Sequence, residues 1–571
     1  MKRIYFILLI VAVTIVGMGV WLWWNRPQHS DMAEYVPLNC LAFAEIESIP
    51  MLLETLGSNE HWNEVFPGLK KATSPGNRAI REFAARTGIG PSEIVVLGRA
   101  QVAVALFGIE TQDVEQTLTI KPHVAVIINT HSWEFRTKEV VEKLVGDFAV
   151  RTYRNPEIHR YVSDGATWTE WIANDNERRI ITAVVDNVAV IANDASAIKA
   201  CLAIRSNADS SMSKSEDLVR ARSGSLKPDT LAFGFVTPAG TSKLIAIVAR
   251  SYSPGLSDQP AAQSAAASLL PAISDRLTGS LSWTARTAAN RIEDVYLFRF
   301  SRELDRSGDN LFTIPDKSDF AFGQFVPQDA NSFSSYSLQN PVNAWRGLKL
   351  AVNARLDTTS SIFVSRLMEM ILEPYGISTP EKFLQYVDRN LATVRFADDD
   401  SASLAIVKVA DELHLHDLVV TGLGVRPLVK KDGDVTLFSS SKDDRSAAFV
   451  EGYLLLGSES SIKRCLDARK AGATLADKPG FLRFVESQSG ERENAVSISK
   501  EPGFFGILTG ASDSRTQSEN PGNQANLDSA LQTGAYSESR TTLSINGFVR
   551  KSSSNYGLFG RLASEFAGFP R

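Results

Sequence analysis

The sequence predicts an α+β chain in which an N-terminal transmembrane helix precedes two tandem, duplicated domains, each a mainly antiparallel sheet with helices. Three observations carry that expectation. An apolar run occupies residues 4–24, a helical segment with a cysteine recurs about 260 residues further on, and two-residue turns join strand-like runs directly.

Ile4 to Trp24 holds 21 uncharged, mostly apolar residues directly behind Lys2 and Arg3. As a helix rising ~1.5 Å per residue it would be roughly 31 Å long, about the hydrocarbon thickness of a bilayer. Lys2 and Arg3 favour a cytoplasmic N-terminus, and Trp21, Trp23 and Trp24 suit the far interface. A cleaved signal peptide has a shorter apolar core and a small-residue cleavage site, which Val20-Trp21-Leu22-Trp23-Trp24 lacks. Cys40 lies too far downstream for a lipoprotein. The expected location is therefore the bacterial cytoplasmic membrane, single-pass, with the bulk of the chain outside the cytoplasm.

Asp194-Ala-Ser-Ala-Ile-Lys-Ala-Cys-Leu-Ala-Ile-Arg205 recurs as Ser458-Glu-Ser-Ser-Ile-Lys-Arg-Cys-Leu-Asp-Ala-Arg469, an offset of 264 (458 − 194). Each segment reads as a helix. Asp194 and Ser458 can accept from unpaired first-turn amides, and Ile, Cys and Leu at i, i+3 and i+4 make one apolar stripe. Other landmarks keep the same order: Tyr35-Val36-Pro37 with Phe325-Val326-Pro327, Gly88-Ile89 with Gly376-Ile377, Pro91 with Pro380, Asp164-Gly165 with Asp432-Gly433, and Leu281-Ser282 with Leu543-Ser544. Nearly all the drift in offset falls between Pro380 and Asp432. There the first half has a helical stripe over Thr137 to Val150 and the second only Ala410 to Gly422, so a shortened helix is expected in the second half.

Val102–Phe107 and His123–Asn129 read as strands. Asp186-Asn187 and Glu451-Gly452 read as turns between strands, and the closing strands Leu277–Trp283 and Ile292–Phe300 resemble Thr541–Phe548 and Tyr556–Arg561. Residues 302–318 are polar and read as a linker. Ser206–Asp217 and Ser253–Ser268 read as surface excursions, and Gly510–Thr533, rich in Ser, Asn, Gln and Gly, as a segment without fixed structure. The expected division is a stub 1–3, an anchor 4–24, a linker 25–33, a repeat domain 34–301, the linker, and a second repeat domain 319–571.

A net charge of −5 and the lack of any basic run beyond the apolar segment exclude the footprint that nucleic-acid binding needs. Three cysteines permit one disulfide at most and fit a bacterial envelope protein. No nucleophile elbow, phosphate-binding loop, His-Glu-x-x-His or Cys-x-x-Cys occurs, so no catalytic, cofactor-binding or metal-binding residues are assigned. Cys201 and Cys465 sit on apolar stripes and read as structural thiols. His414-Leu-His416 would share a face on a strand, but Leu415, Leu418 and Val419 have helical spacing, which points the two imidazoles apart. Lys199, Arg205, Lys463 and Arg469 read as the solvated side of their helices, and Asp399, Asp400, Asp443 and Asp444 as turn residues. Trp168 and Trp171 do not share a strand face, which leaves one of them free to face solvent.

The layout resembles an uncharacterised, domain-of-unknown-function family of N-terminally anchored bacterial extracytoplasmic proteins. The residues that carry it are Val36-Pro37-Leu38-Asn39 and Val326-Pro327-Gln328-Asp329, and the strand–turn–strand–helix runs Ile180–Arg205 and Phe449–Arg469. The resemblance implies no activity. The function expected is a non-enzymatic binding or structural module of the cell envelope, held at the membrane by Ile4 to Trp24 and engaging an envelope protein or ligand. The alternatives are an envelope hydrolase with a site assembled from scattered residues and a lipid or hydrophobic-ligand carrier.

Overall fold

A computed structural model describes residues 30–60, 62, 90, 93, 96–114, 117–175, 177–256, 260–288, 290–301, 312–314, 320–396, 399–424, 427–432, 435–488, 493–501 and 527–560. They contribute twenty strands, all paired antiparallel, to two compact units drawn from Met1–Gly57, Gly68–Gln112 and Thr119–Val219, and from Ser58–Pro67, Asp113–Leu118 and Arg220–Arg571.

The first unit holds β1 (Ala42–Ile46), most of β2 (Gln101–Val114) and of β3 (Thr117–Asn129), β4 (Glu157–Ser163), β5 (Ala166–Ile172), β6 (Arg179–Val185) and β7 (Val188–Ala192). They pair in the order β1-β2-β3-β7-β6-β5-β4. Helix α1 (Glu134–Tyr153) crosses between β3 and β4, and α2 (Ala195–Ala203) follows β7. Two-residue turns close the hairpins. Asp164 and Gly165 have φ of 54° and 72°, and Asp186 has φ of 52°, as the mirror-image turns that match strand twist require. Val141, Val145 and Ala149 of α1 pack on Trp171, Val184 and Ala189. Trp171 and Trp168 are 2 % and 1 % exposed, so both are buried and neither faces solvent. They point to opposite faces of β5, and each face is covered: Trp171 meets α1, and Trp168 donates from Nε1 to Ser163 O at 3.0 Å.

The second unit holds β8 (Thr230–Val236), β9 (Thr278–Ala288), β10 (Arg291–Phe300), β11 (Ser332–Ser337), β12 (Val387–Phe396), β13 (Asp399–Val409), β14 (Leu428–Asp432), β15 (Val435–Ser439), β16 (Arg445–Val450), β17 (Tyr453–Ser458), β18 (Ala495–Lys500), β19 (Tyr536–Ser544) and β20 (Gly547–Ser554). Their order is β8-β9-β10-β20-β19-β18-β11-β12-β13-β17-β16-β15-β14. Its helices include α3 (Thr358–Met370), α4 (Glu412–Gly422), α5 (Glu459–Lys470) and α6 (Leu527–Thr533). The middle of β13 is apolar at every position because both its faces are covered. Leu404 and Ile406 enter a core with Phe325, Phe333 and Phe481, while Ala405 and Val407 enter one with Leu415, Val419 and Phe449.

The fold-class expectation is corrected on two counts. No helix among the described residues is long and apolar enough to cross a membrane, and Ile4 to Trp24 lies outside those residues. Helices α1, α2 and α5, for example, instead lay one apolar stripe on a sheet. Nor do the two sequence halves form separate tandem sheets. β10, from the first half, pairs along eight positions with β20, from Ile292 opposite Ser554 to Arg299 opposite Gly547. A strand edge carries unpaired amides and carbonyls, and β20 satisfies those of β10. Phe298 stacks on Phe548 at 5.0 Å across this seam. Gly547 has φ of 143°, and a Cβ there would lie 1.9 Å from Phe298 O, so only glycine lets the strands approach.

Several local expectations also change. Leu543-Ser544 adjoins the turn between β19 and β20, whereas the residues at that place before the β9–β10 turn are Thr287 and Ala288, so Leu281-Ser282 is not its counterpart. The strand expected over Tyr556–Arg561 is absent from its described part, where 557–560 are helical. Ser206–Asp217 is no loose excursion: Met212 is buried, its N–H donates to Val36 O at 2.7 Å, and Pro37 bridges Ser211. Ser253–Ser268 lies within helices Pro238–Leu256 and Pro260–Leu277 apart from 257–259, outside the described residues. Of Gly510–Thr533, residues 510–526 lie outside the described residues. The rest forms α6, whose Leu527, Ala530 and Leu531 are buried at helical spacing. Most of the 302–318 linker, together with Gly88-Ile89, Pro91 and Gly433, also lies outside the described residues.

Candidate functional site

The C-terminal end of α3, the turn Glu373–Tyr375 and the turn before β16 border an open cleft of about 440 Å³, lined by Met370, Glu373, Pro374, Asp443 and Arg445. Asp443 accepts from Arg445 N at 3.2 Å, and its other oxygen takes both Nε at 2.9 Å and Nη2 at 2.6 Å of the same side chain. Arg445 also donates from Nη1 to Glu373 O at 3.4 Å, tying the two walls together. Hydrogen bonds from the Arg445 side chain hold the Asp443 carboxyl down at about 2, and the same side-chain hydrogen bonding to Asp443 holds the guanidinium up. The cleft thus offers a fixed ion pair beside the apolar surfaces of Met370 and Pro374. The same device precedes β6, where Asp175 accepts from Arg178 N at 3.1 Å and Nε at 2.8 Å. Reading Asp443 as turn punctuation missed this. The available signal was an acid followed two or three residues later by arginine at the start of a strand, in both halves.

A second constellation is buried. Glu501 follows β18, and its Oε1 accepts from Asn555 N at 2.6 Å, while its Oε2 is buried without a hydrogen-bond partner. Arg291 Nη2, at the start of β10, stands 4.0 Å from Oε1. Desolvation pushes the Glu501 carboxyl up to about 7, against the opposing pull of the Asn555 amide and of Arg291. Nothing in the sequence marked Glu501, because its surroundings come from strands hundreds of residues apart.

The residues singled out in sequence have structural partners. Cys201 and Cys465 are buried free thiols, as is Cys40; burial pushes Cys40 and Cys201 up to about 12 and Cys465 higher still. His414 and His416 lie on α4 and diverge. His414 contacts Asp411 at 2.8 Å and stacks on Tyr386, whereas His416 sits against Phe438 and Phe449. Among the described residues no group of three or more His, Cys, Asp or Glu is placed to hold a metal ion. Arg205 donates to Asp186 at 2.7 Å and Arg469 to Glu451, so each arginine clamps the acidic residue of the turn before its helix. Lys463 pairs with Glu459 at 2.7 Å, and Lys199 is exposed. Asp399 and Asp400 begin β13. His123 is a histidine with two carboxylate neighbours, Asp194 at 2.9 Å and Glu110 at 3.1 Å, so both ring nitrogens are engaged.

No family model matches the chain, and no curated protein does. A solved structure, "Structure of crystal form I of TP0453", aligns with 42 % of this chain and 80 % of its own at 12 % identity, with a TM-score of 0.24.

Proposed function

We infer that the chain is a non-enzymatic binding module of the bacterial cell envelope, acting outside the cytoplasm. The observation that carries this reading is the cleft, where the Asp443–Arg445 pair beside Met370 and Pro374 offers charge next to apolar surface. Polar groups flanking an apolar surface are the composition of a recognition site. An origin by internal duplication is supported by the Asp–Arg turns before β6 and β16 and by the arginine clamps at Asp186 and Glu451. A photo-crosslinking residue at Met370 of the full chain, expressed in bacterial cells, should give one discrete adduct that Arg445→Ala abolishes. Failure to form an adduct, or an adduct indifferent to Arg445→Ala, overturns the reading. Alkaline phosphatase fused after Arg571 should be active, and an inactive fusion removes the extracytoplasmic location.

A further inference from the structure

Four strand ends lie side by side at one end of the seam: the start of β10, the end of β20, the start of β19 and the end of β18, registered through Ile292 opposite Ser554, Ser553 opposite Glu538 and Lys500 opposite Tyr536. Arg291 bolts this corner. Its Nη2 donates to Tyr536 O and, at 3.0 Å, to Ser553 O, and its guanidinium lies 4.3 Å from the centroid of the Tyr536 ring. Asn59 adds to the corner by donating to Asn290 O at 2.9 Å and Asn555 O at 3.3 Å. The corner nevertheless contains two unmatched buried atoms of complementary kind, the acceptor Glu501 Oε2 and the donor Arg291 Nε. The Glu501 side chain is only 7 % exposed. An ionised carboxylate there must recruit a donor or reach water, and the closest charged donor is already committed to two backbone carbonyls.

We propose that Glu501 is a proton-binding site that holds the β10–β20–β19–β18 corner closed when protonated and loosens it when ionised, by drawing Arg291 away from the carbonyls of Tyr536 and Ser553. Several other charged groups on these strands are occupied. Glu293 on β10 pairs with Arg286, Asp294 accepts from Trp283 Nε1 and Leu558 N, Lys500 on β18 donates to Asp329 O, Glu538 on β19 accepts from Arg540, and Arg550 on β20 donates to Ser539 Oγ. Among the described residues, Arg291 is the charged group that acts on the Glu501 carboxyl. With the folded value raised to about 7 from an ordinary 4.5, the stabilisation is fully present below about 4.5, declines as pH rises through about 7, and is flat above.

The test is denaturant unfolding of the full chain from pH 4 to 9, for wild type and Glu501→Gln, the amide standing in for the protonated acid. The ratio of the two folding constants should be constant below pH 4.5. It should then shift in favour of the variant by on the order of a hundredfold between pH 5 and 8, since each unit of pKa displacement is a factor of ten. Parallel curves across the range overturn the proposal. If Glu501→Gln does not fold, amide exchange on the wild-type chain decides. Protection of the Asn555 and Ser553 amides, corrected for intrinsic rates, should fall as pH passes 7, and constant protection from pH 5 to 8 overturns it.

Discussion

Ile180–Arg205 and Phe449–Arg469 are two versions of one strand–turn–strand–helix segment, and the comparison separates what fixes the segment from what merely fills the space around it. Both turns carry a non-glycine residue at positive φ, Asp186 at 52° and Glu451 at 47°, held by Arg205 from the 3-10 turn after α2 and by Arg469 from the last turn of α5. Both helices begin on a side chain that accepts a first-turn amide, Asp194 from Ser196 N and Ser458 from Ser461 N, and both bury an isoleucine and a cysteine three residues apart. The surroundings differ. Beside the first segment, Asn129 donates to Ser30 Oγ and Tyr35 OH and accepts from Asn187 Nδ2 at 2.7 Å, while Gln101 bonds His131 at 2.8 Å. Beside the second, Phe325 replaces Tyr35, Gly452 replaces Asn187, and Phe325 packs on Tyr453 at 5.0 Å with the Arg469 guanidinium 4.8 Å from its ring. Turn, clamp and cap are held in common, whereas polar and aromatic fillings are interchangeable solutions to the same packing problem.

The shared part breaks most expensively. Ile198 and Ile462 are both fully buried beneath their sheets, and Ile198→Ala or Ile462→Ala should each cost about 2–5 kcal/mol in denaturant unfolding, with similar values for the two. A large disparity would mean that the helices do not play matching parts. The differing part gives smaller effects of opposite kind. Tyr35→Phe reproduces the second segment's residue and leaves Asn129 Nδ2 without its contact at 3.3 Å, which should cost about 1 kcal/mol. Phe325→Tyr buries a hydroxyl among aromatic rings, and should destabilise by a similar or larger amount.

The clamps should rank unequally. Arg469 is the more buried of the two and lies over Phe325, so Arg469→Ala should cost roughly 1 kcal/mol. Arg205 pairs with Asp186 in solvent, and Arg205→Ala should cost a few tenths. Equal losses would show that the ring contact adds nothing. Acid sharpens the contrast at the helix starts. Lys430, Lys463 and Ser439 hold the Glu459 carboxyl down at about 2, so its contribution is present above about 4.5 and lost as pH falls through 2. Asp194 is held low first by the Ser196 amide. The acid limb of a circular-dichroism titration should shift to higher pH in Glu459→Gln. High salt should reduce that difference, because lysine charges are screened and an amide is not.

What the sequence disclosed and what it hid follow the same division. Local chemistry was legible: Asp194 and Ser458 as caps, Asp164-Gly165, Asp186-Asn187 and Glu451-Gly452 as turns, and the shorter helix of the second half, 11 residues in α4 against 20 in α1. The seam was not, because Phe298 opposite Phe548 joins residues 250 positions apart and leaves no periodic trace. Burial of a polar atom was hidden for the same reason. Glu501 precedes a proline in what reads as a strand end, and its partners Asn555 and Arg291 are set by distant register. The helix over Leu527–Thr533 was obscured by the polar stretch before it, although Leu527, Ala530 and Leu531 kept helical spacing.

The thiols offer the gentlest discrimination between the two segments. Desolvation raises Cys201 and Cys465 alike, and Cys201 also feels Cys40, whereas Cys465 feels Arg464 and Asp329. Thiolate is the species that attacks a disulfide reagent, so a thiol held near 12 is almost wholly unreactive at pH 8. The native chain should therefore release no chromophore from an aromatic disulfide reagent, and three equivalents on unfolding. Adding denaturant in small steps should bring the thiols out by unit: Cys40 and Cys201 together, since they share the first unit, and Cys465 separately with the second. Release of all three at a single denaturant concentration would mean that the two units unfold as one cooperative body, and the comparison between segments would then have to be made on the whole chain.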